Sequence, residues 1–189
     1  MNRFAYLICA ILLFTSACKQ PIELEGIVLE LEPPTYAQLG NFLINDTCKV
    51  IVFFSPECPL SENYTLNINN LKAKYANRSI KLIGVVSGTS YSKEEIKSFT
   101  QKYKLQFELF REPKGELAEV LDATITPECY VLNEYNDVVY HGAIDNWAID
   151  LGKKRIKATE HYLDDAIQHV LNNKKLNTSF VEAVGCYIE

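Results

Sequence analysis

The apolar positions of this chain fall into runs of two kinds. Val50-Ile51-Val52-Phe53-Phe54 and the stretch from Ile80 to Val86, closed by Ser87-Gly88, are near-continuous apolar segments. They predict strands buried on both faces of a sheet. Leu60, Tyr64, Ile68, Leu71 and Tyr75 recur at helical spacing and predict a helix from about Pro59 to Tyr75 with one apolar face. Ser92-Lys93-Glu94-Glu95 is a capping box, and the helix it starts turns Ile96, Phe99 and Tyr103 inward. Phe107 to Phe110 is a short strand, Pro113-Lys114-Gly115 a turn into a short helix carrying Leu117, Val120 and Leu121. Cys129 to Leu132, the turn Asn136-Asp137 and Val138 to Ala143 predict a hairpin. Thr159 caps a last helix with Leu163, Ile167, Val170 and Leu171 on its apolar face, and a polar tail runs from about Asn173 to Glu189. Ahead of these, Ile27 to Leu31 is a candidate first strand ended by Pro33-Pro34. Thr35 to Ile44 is a candidate short helix, with Gly40 against it. The order strand, helix, strand, helix, strand, short helix, hairpin, helix predicts helices on both faces of a mixed central sheet, a three-layer α/β/α sandwich.

The first residues do not belong to that pattern. Asn2-Arg3 is a short positive region and Phe4 to Phe14 an apolar one, too short to span a bilayer as a mature helix. Thr15-Ser16-Ala17-Cys18 follows and resembles a bacterial lipobox, with Thr15 where leucine is usual. Residues 1–17 are therefore expected to be a lipoprotein signal peptide, Cys18 the lipidated anchor, and 18–26 a tether. The protein is expected in the bacterial cell envelope, facing the periplasm or extracytoplasmic space; a plain secretory signal is the alternative.

Export changes the cysteine arithmetic. Of Cys9, Cys18, Cys48, Cys58, Cys129 and Cys186, the first leaves with the signal and the second is lipidated. The remaining four lie in a compartment where disulfides persist, and four cysteines permit three complete pairings. There is no C-x-x-C, no spaced Cys/His set for a metal, and no G-x-G-x-x-G after a strand, so no metal or nicotinamide or flavin cofactor is expected. The chain has 189 residues, 48% hydrophobic and 23% charged, with net charge −5. That suits one globular domain and excludes the basic footprint of a nucleic-acid binder.

One residue stands out chemically. Ser55-Pro56-Glu57 breaks the apolar run after Phe54, and Cys58-Pro59 opens the helix. Proline in the first helical turn loses no hydrogen bond, because that N–H has no partner within the helix. Cys58 is thereby placed at a strand end and a helix start, where the helix dipole favours a thiolate. Glu57 beside it is expected to be solvated, and Tyr64 to belong to the core.

These residues resemble the thioredoxin superfamily, and within it the redoxin group of peroxiredoxin and thiol-specific antioxidant proteins. The resemblance rests on Val50–Tyr64 with Cys58-Pro59, on Leu109–Ala118, and on Thr124-Ile125-Thr126-Pro127-Glu128-Cys129-Tyr130-Val131-Leu132, which looks like the cis-proline segment. Gly142-Ala143-Ile144-Asp145-Asn146, Asp150–Arg155 and the Gly185-Cys186 ending resemble a subgroup of extracytoplasmic redoxins with a CP[IL]S sequence. The resemblance implies a thioredoxin-like domain over 27–175, with 176–189 as a tail carrying Cys186. It also implies a cis Thr126–Pro127 bond and a substrate-binding edge at Pro59, Thr126 and Pro127.

The departures shape the expected chemistry. A dithiol thioredoxin has a second cysteine where Ser61 stands, and a peroxiredoxin has proline, threonine and arginine where Ile51, Ser55 and Pro127 stand. The expectation is a single helix-start thiol, Cys58, that forms a mixed disulfide released by a remote resolving cysteine. Cys186 is the first choice, since Gly185 permits sharp turning; a static disulfide pinning the tail is the competing role. Cys129 is the second choice, being two residues beyond Pro127. The partners expected are protein thiols and disulfides or a small thiol donor, and the membrane through Cys18. The alternatives are a thiol peroxidase, a copper-binding or assembly module, which needs two close cysteines and a histidine, and a redox-inert peptide binder. His141, His161 and His169 form no convincing metal set, and Lys153-Lys154-Arg155 is expected to be solvated or to face lipid headgroups.

Overall fold

The computed structural model describes residues 21–31, 35–43 and 45–188. The expected signal peptide, Cys18 and Pro33-Pro34 lie outside these residues. In chain order the elements are β1 (Val28–Leu31), β2 (Thr35–Gln38), α1 (Leu39–Leu43), β3 (Cys48–Phe53), α2 (Pro59–Lys74), β4 (Ile80–Ser87), α3 (Lys93–Lys102) and β5 (Glu108–Glu112). Then follow α4 (Glu116–Leu121), β6 (Ile125–Thr126), β7 (Glu128–Leu132), β8 (Val138–Gly142), β9 (Ala148–Asp150), β10 (Lys153–Lys154), α5 (Tyr162–Asn172), β11 (Phe180–Val181) and β12 (Cys186–Tyr187).

Among the described residues the main sheet has eight strands in the order β11-β8-β7-β3-β4-β5-β1-β2. β3 pairs parallel with β4 and antiparallel with β7, so it lies at the centre of a mixed sheet. All six residues of β3 are buried. Because side chains alternate along a strand, Val50, Val52 and Phe54 enter one core with Ile68, Phe99 and Ile167 from α2, α3 and α5. Ile51 and Phe53 enter another with Leu43, Leu117 and Leu121 from α1 and α4. Each large apolar side chain so buried contributes roughly 1.5–3 kcal/mol. The three-layer α/β/α sandwich is as expected.

Local differences from the sequence pattern have physical causes. The segment expected as a helix from Thr35 begins instead as β2, whose Thr35–Gln38 pair antiparallel with β1; only Leu39–Leu43 is helical. The strand expected at Phe107–Phe110 lies at Glu108–Glu112, where it pairs parallel with β4 from Ile83 opposite Glu108 to Ser87 opposite Glu112. The buried Glu112 carboxylate accepts the N–H groups of Leu117 and Ala118 and so caps α4. On α4 Val120 is 44% exposed, while Leu117, Ala118 and Leu121 are buried. Thr159 does not cap α5, which starts at Tyr162 with His161 as N-cap. Instead Asn146 holds the Thr159 region: its Oδ1 accepts the N–H of Thr159 at 2.9 Å, and its Nδ2 donates to Thr159 Oγ1 at 2.9 Å. The tail read as polar contributes two strands. β11 adds to the sheet edge parallel to β8, and β12 pairs antiparallel with β6.

Candidate functional site

β3 and β4 run parallel and end side by side, with Phe53 opposite Val85. Clefts form beyond the carboxyl ends of such strands. The chain leaves β3 through Phe54 and turns over Ser55-Pro56-Glu57, where the Cys58 N–H donates to Ser55 O at 3.1 Å. Cys58 is the N-cap of α2, with extended backbone (φ −77°, ψ 116°) and Pro59 as the first helical residue. The turn is held from the helix side, because the Ser55 N–H donates to Ser61 Oγ at 3.1 Å. Ser61 is fully buried, so the residue standing where a second active-site cysteine would be is a structural brace.

Opposite Cys58 lies β6. The Thr126–Pro127 bond is cis, and Cys58 Sγ is 3.2 Å from Thr126 O. On the other side of the sulfur sits the tail: Cys186 Sγ is 2.7 Å from Cys58 Sγ. Both are free thiols within reach of a bond. Cys186 pairs in register with Thr126, whose hydroxyl donates to Cys186 O at 3.3 Å.

The two thiols are not equivalent. Burial opposes ionisation of Cys58, but the Cys186 thiol and the N–H groups of Ser61, Leu60 and Cys186 point at its sulfur. Together these donors outweigh burial and bring its pKa below the ordinary thiol value. The Ser61 and Leu60 N–H groups are first-turn donors with no partner in their own helix. Cys186 is pushed the other way, up to about 11, by burial and then by its hydrogen bond to Cys58 and the charge there. Cys58 is thus the group set up to be thiolate and Cys186 the group set up to hold its proton.

The site opens into a cavity of about 190 Å3 reached by Ser55, Glu57, Ser87, Tyr91, Thr126 and Cys186. Ser55 Oγ and Tyr91 Oη are 2.7 Å apart. No arginine, lysine or histidine lines this cavity among the described residues. Glu57 is exposed, and Pro59 is exposed on the helix start and does not line the cavity. Tyr91 and Ser61 were missed in the sequence. Tyr91 could have been found from the rule that loops after parallel strands build the site, since it follows β4.

The other cysteines stay apart. Cys129, the second choice as resolving residue, is fully buried and its thiol donates to Gly142 O at 3.2 Å, not to Cys58. The reason is alternation: Cys129 faces the core shared by α2 and α5, where burial raises its pKa well above the ordinary value. Cys48, with a pKa pushed up to about 12 by burial, starts β3 at the end of the strand remote from Cys58. Tyr64 is buried and donates to Asp145 Oδ1 at 2.6 Å, and Asp145 also accepts from Asn67 at 3.0 Å. This cluster fixes the chain after β8 beside a larger cleft of about 780 Å3 that no cysteine lines. Two cysteines are therefore close, as a copper site needs. Among the described residues, however, no group of three His, Cys, Asp or Glu side chains is arranged to hold a metal. His141 is stacked between Tyr130 and Phe180.

The AhpC/TSA family model matches residues 37–141. This chain belongs to the AhpC/TSA family. The match includes Cys58 and Pro127 but ends before the tail that carries Cys186. Among solved structures, an uncharacterized conserved protein from Geobacillus kaustophilus superposes with TM-score 0.79 at 19% identity, covering 90% of each chain. A bacterioferritin comigratory protein of Xanthomonas campestris, described for its alkyl peroxide reduction activity, gives TM-score 0.58 at 18% identity over 80% of this chain and 92% of that one. A secreted disulfide oxidoreductase of Mycobacterium tuberculosis gives 0.51 at 14% identity over 59% of this chain and 78% of that one. No curated protein matches the chain. The fold is thioredoxin-like, and this AhpC/TSA chain is a thiol-redox protein of the redoxin group, an oxidoreductase.

Proposed function

We propose that the protein is a thiol–disulfide oxidoreductase in which Cys58 attacks and Cys186 resolves. The observation that carries this is the 2.7 Å approach of the two sulfurs together with the opposite direction of their pKa shifts. The Cys58 thiolate attacks one sulfur of a substrate disulfide; a Cys58–substrate disulfide forms and the other substrate sulfur leaves as thiolate. With Cys58 bonded, the charge that held the Cys186 proton is gone. Cys186 then passes that proton to the substrate thiolate released first, attacks Cys58 Sγ and expels the second substrate sulfur as thiolate. Two electrons pass from the cysteine pair to the substrate, and the Cys58–Cys186 disulfide is reduced again by an external thiol. Run backwards, the same steps oxidise a substrate dithiol.

A second reading is thiol peroxidase, favoured by the family match and by the Ser55 hydroxyl in the Cys58 cavity. Cys58 would be oxidised by peroxide to sulfenic acid with release of water or alcohol. Cys186 would condense with it to the same disulfide, releasing water. Among the described residues the cavity is lined by hydroxyls and a carboxylate and by no side-chain cation, which argues for disulfide exchange as the faster reaction. We place the protein in the cell envelope, anchored through Cys18, on the strength of the apolar run Phe4–Phe14 and the small residues before Cys18. No helix among the described residues is long and apolar enough to cross a membrane.

The test is to mix the reduced protein with a disulfide-bonded protein substrate or with an equal concentration of hydrogen peroxide, block free thiols with time, and map linked peptides by mass spectrometry. The expected result is a Cys58–Cys186 disulfide formed about tenfold or more faster with the protein disulfide. In Cys186→Ser the reaction should stop at a Cys58–substrate disulfide. A Cys58 that remains free in every arm would sink both readings, and faster oxidation by peroxide would favour the second.

A further inference from the structure

The end of the tail lies as an added strand on β6, beside Cys58. Residues 186 and 187 pair antiparallel with β6, and the Ile188 N–H donates to Thr124 O at 2.9 Å. The tail thereby covers the reactive thiol: Cys58 and Thr126 are 1% and 2% exposed. The cover itself is lightly held, since none of residues 182–188 is buried. Its root is firmer. β11 is paired with β8, and Gly142 (φ 118°) lets the chains approach so closely that a Cβ there would meet Val181 O at 1.8 Å. Seven described residues, 182–188, follow that root and include the whole cover.

The tail also records what the edge will accept. A Cβ on Gly185 would meet Thr126 O at 2.1 Å and Thr126 C at 2.7 Å. These are backbone atoms of the strand that holds the site, so they cannot step aside as a flexible side chain would. Tyr187 is 78% exposed and stands at the rim of the Cys58 cavity, where there is room for other side chains. Ile188 is half-buried and packs against the core of α1 and α4. The pattern is glycine before the cysteine, any residue after it, and an aliphatic residue next.

We propose that residues 185–188 are a displaceable stand-in for the substrate, and that the site takes an extended protein segment of the pattern Gly-Cys-x-aliphatic as an added strand on β6. The proposal rests on the thiol–disulfide reading above and names its substrate class. The substrate strand replaces the tail on β6 and presents its cysteine, as one half of a disulfide, to the Cys58 thiolate. The bond to Cys58 forms as the substrate disulfide breaks and its other sulfur departs with the electron pair. Return of the tail brings the Cys186 sulfur back to Cys58 and displaces the product strand in the same movement. Added strands of this kind take affinity from main-chain hydrogen bonds and selectivity from side-chain pockets.

The test uses the full reduced chain and two peptides, Ala-Val-Gly-Cys-Tyr-Ile and Ala-Val-Ala-Cys-Tyr-Ile, each with thionitrobenzoate in disulfide linkage on its cysteine. Attack by Cys58 releases the coloured thionitrobenzoate, with glutathione as the control for intrinsic reactivity. Three proteins are compared, all without the Cys186 thiol: Cys186→Ser, which keeps the tail but cannot resolve, a chain ending at Val184, and Gly185→Val combined with Cys186→Ser. The glycine peptide is expected to react with Cys58 of Cys186→Ser about tenfold faster than the alanine peptide, in keeping with rejection by a steric clash. Compared in alkaline solution, where loss of the Cys186 N–H does not limit the thiolate, both shortening the chain and adding Gly185→Val should raise the rate further, because each removes the competitor. Equal rates for the two peptides, or no gain in either tail variant, would overturn the proposal. If Cys58 reacts with a small aromatic disulfide but not with the peptides, the substrate class is wrong and the oxidoreductase reading stands. If it reacts with neither, that reading falls and takes the proposal with it.

Discussion

Cys58 and Cys129 are almost equally hidden, at 1% and 0% exposure, yet their thiols are driven in opposite directions. Cys129 sits within β7, where its backbone groups are spent on strand pairing and its sulfur meets apolar side chains. Burial, with the Glu128 and Asp145 carboxylates adding to it, keeps the thiol neutral. Cys58 sits at the start of α2, where the first-turn N–H groups have no carbonyl partner and turn to its sulfur. Burial is the largest influence on both cysteines. What differs is whether the surroundings supply donors to the charged form, and that is set by the element each residue occupies. Exposure by itself would have ranked these two residues as the same.

The largest expected effect is from Cys58→Ser. Removing the nucleophile should abolish disulfide exchange, a loss of about a thousandfold or more in initial rate. Persistence of exchange in that variant would break the comparison outright, by showing that another cysteine is the nucleophile. Next is Cys186→Ala, which should turn the protein over once and leave it as a Cys58–substrate disulfide detectable as an intact mass adduct. It also removes a hydrogen bond donated to the thiolate, so the pKa of Cys58 should rise. The sign follows directly: with less thiolate at neutral pH the first step slows there, while in strongly alkaline solution it does not. An unshifted pH profile would mean that the backbone donors alone lower the Cys58 pKa.

Cys129→Ala tests the other half of the contrast. It should leave exchange rates unchanged and cost about 1–2 kcal/mol of stability from the lost packing, read as a lower denaturation midpoint. The smallest effect is expected from Ser61→Ala. The Ser55 N–H loses its acceptor, at a cost of about 1 kcal/mol, but the Ser61 backbone N–H that faces Cys58 remains. Stability should fall while the pH profile of Cys58 holds. Movement of the pH profile instead would show that the hydroxyl, and not the backbone, sets the thiolate.

What the sequence determined by itself is local. The five apolar residues from Val50, the break at Ser55-Pro56-Glu57 and the proline after Cys58 place a thiol at a strand end and a helix start. The Ser92–Glu95 capping box is likewise complete within four residues, and both of its hydrogen bonds are present. Such features depend on neighbours in the chain, so their physics is legible without the fold. The errors came where distant parts of the chain decide. Thr35–Gln38 became a strand because β1 offered it a partner, and Thr159 is held by Asn146 ahead of α5, whose N-cap is His161. Cys129 was near Pro127 in sequence but on the wrong side of the strand to meet Cys58. The pairing of Cys58 with Cys186 spans 128 positions. It needs β11 to hold the tail's root, Gly185 to pass against Thr126, and β6 to take the last strand. The sequence could offer Cys186 as a candidate; only the tertiary structure, by stacking those three contacts, brings its sulfur to the thiolate and lets the tail stand where a substrate would.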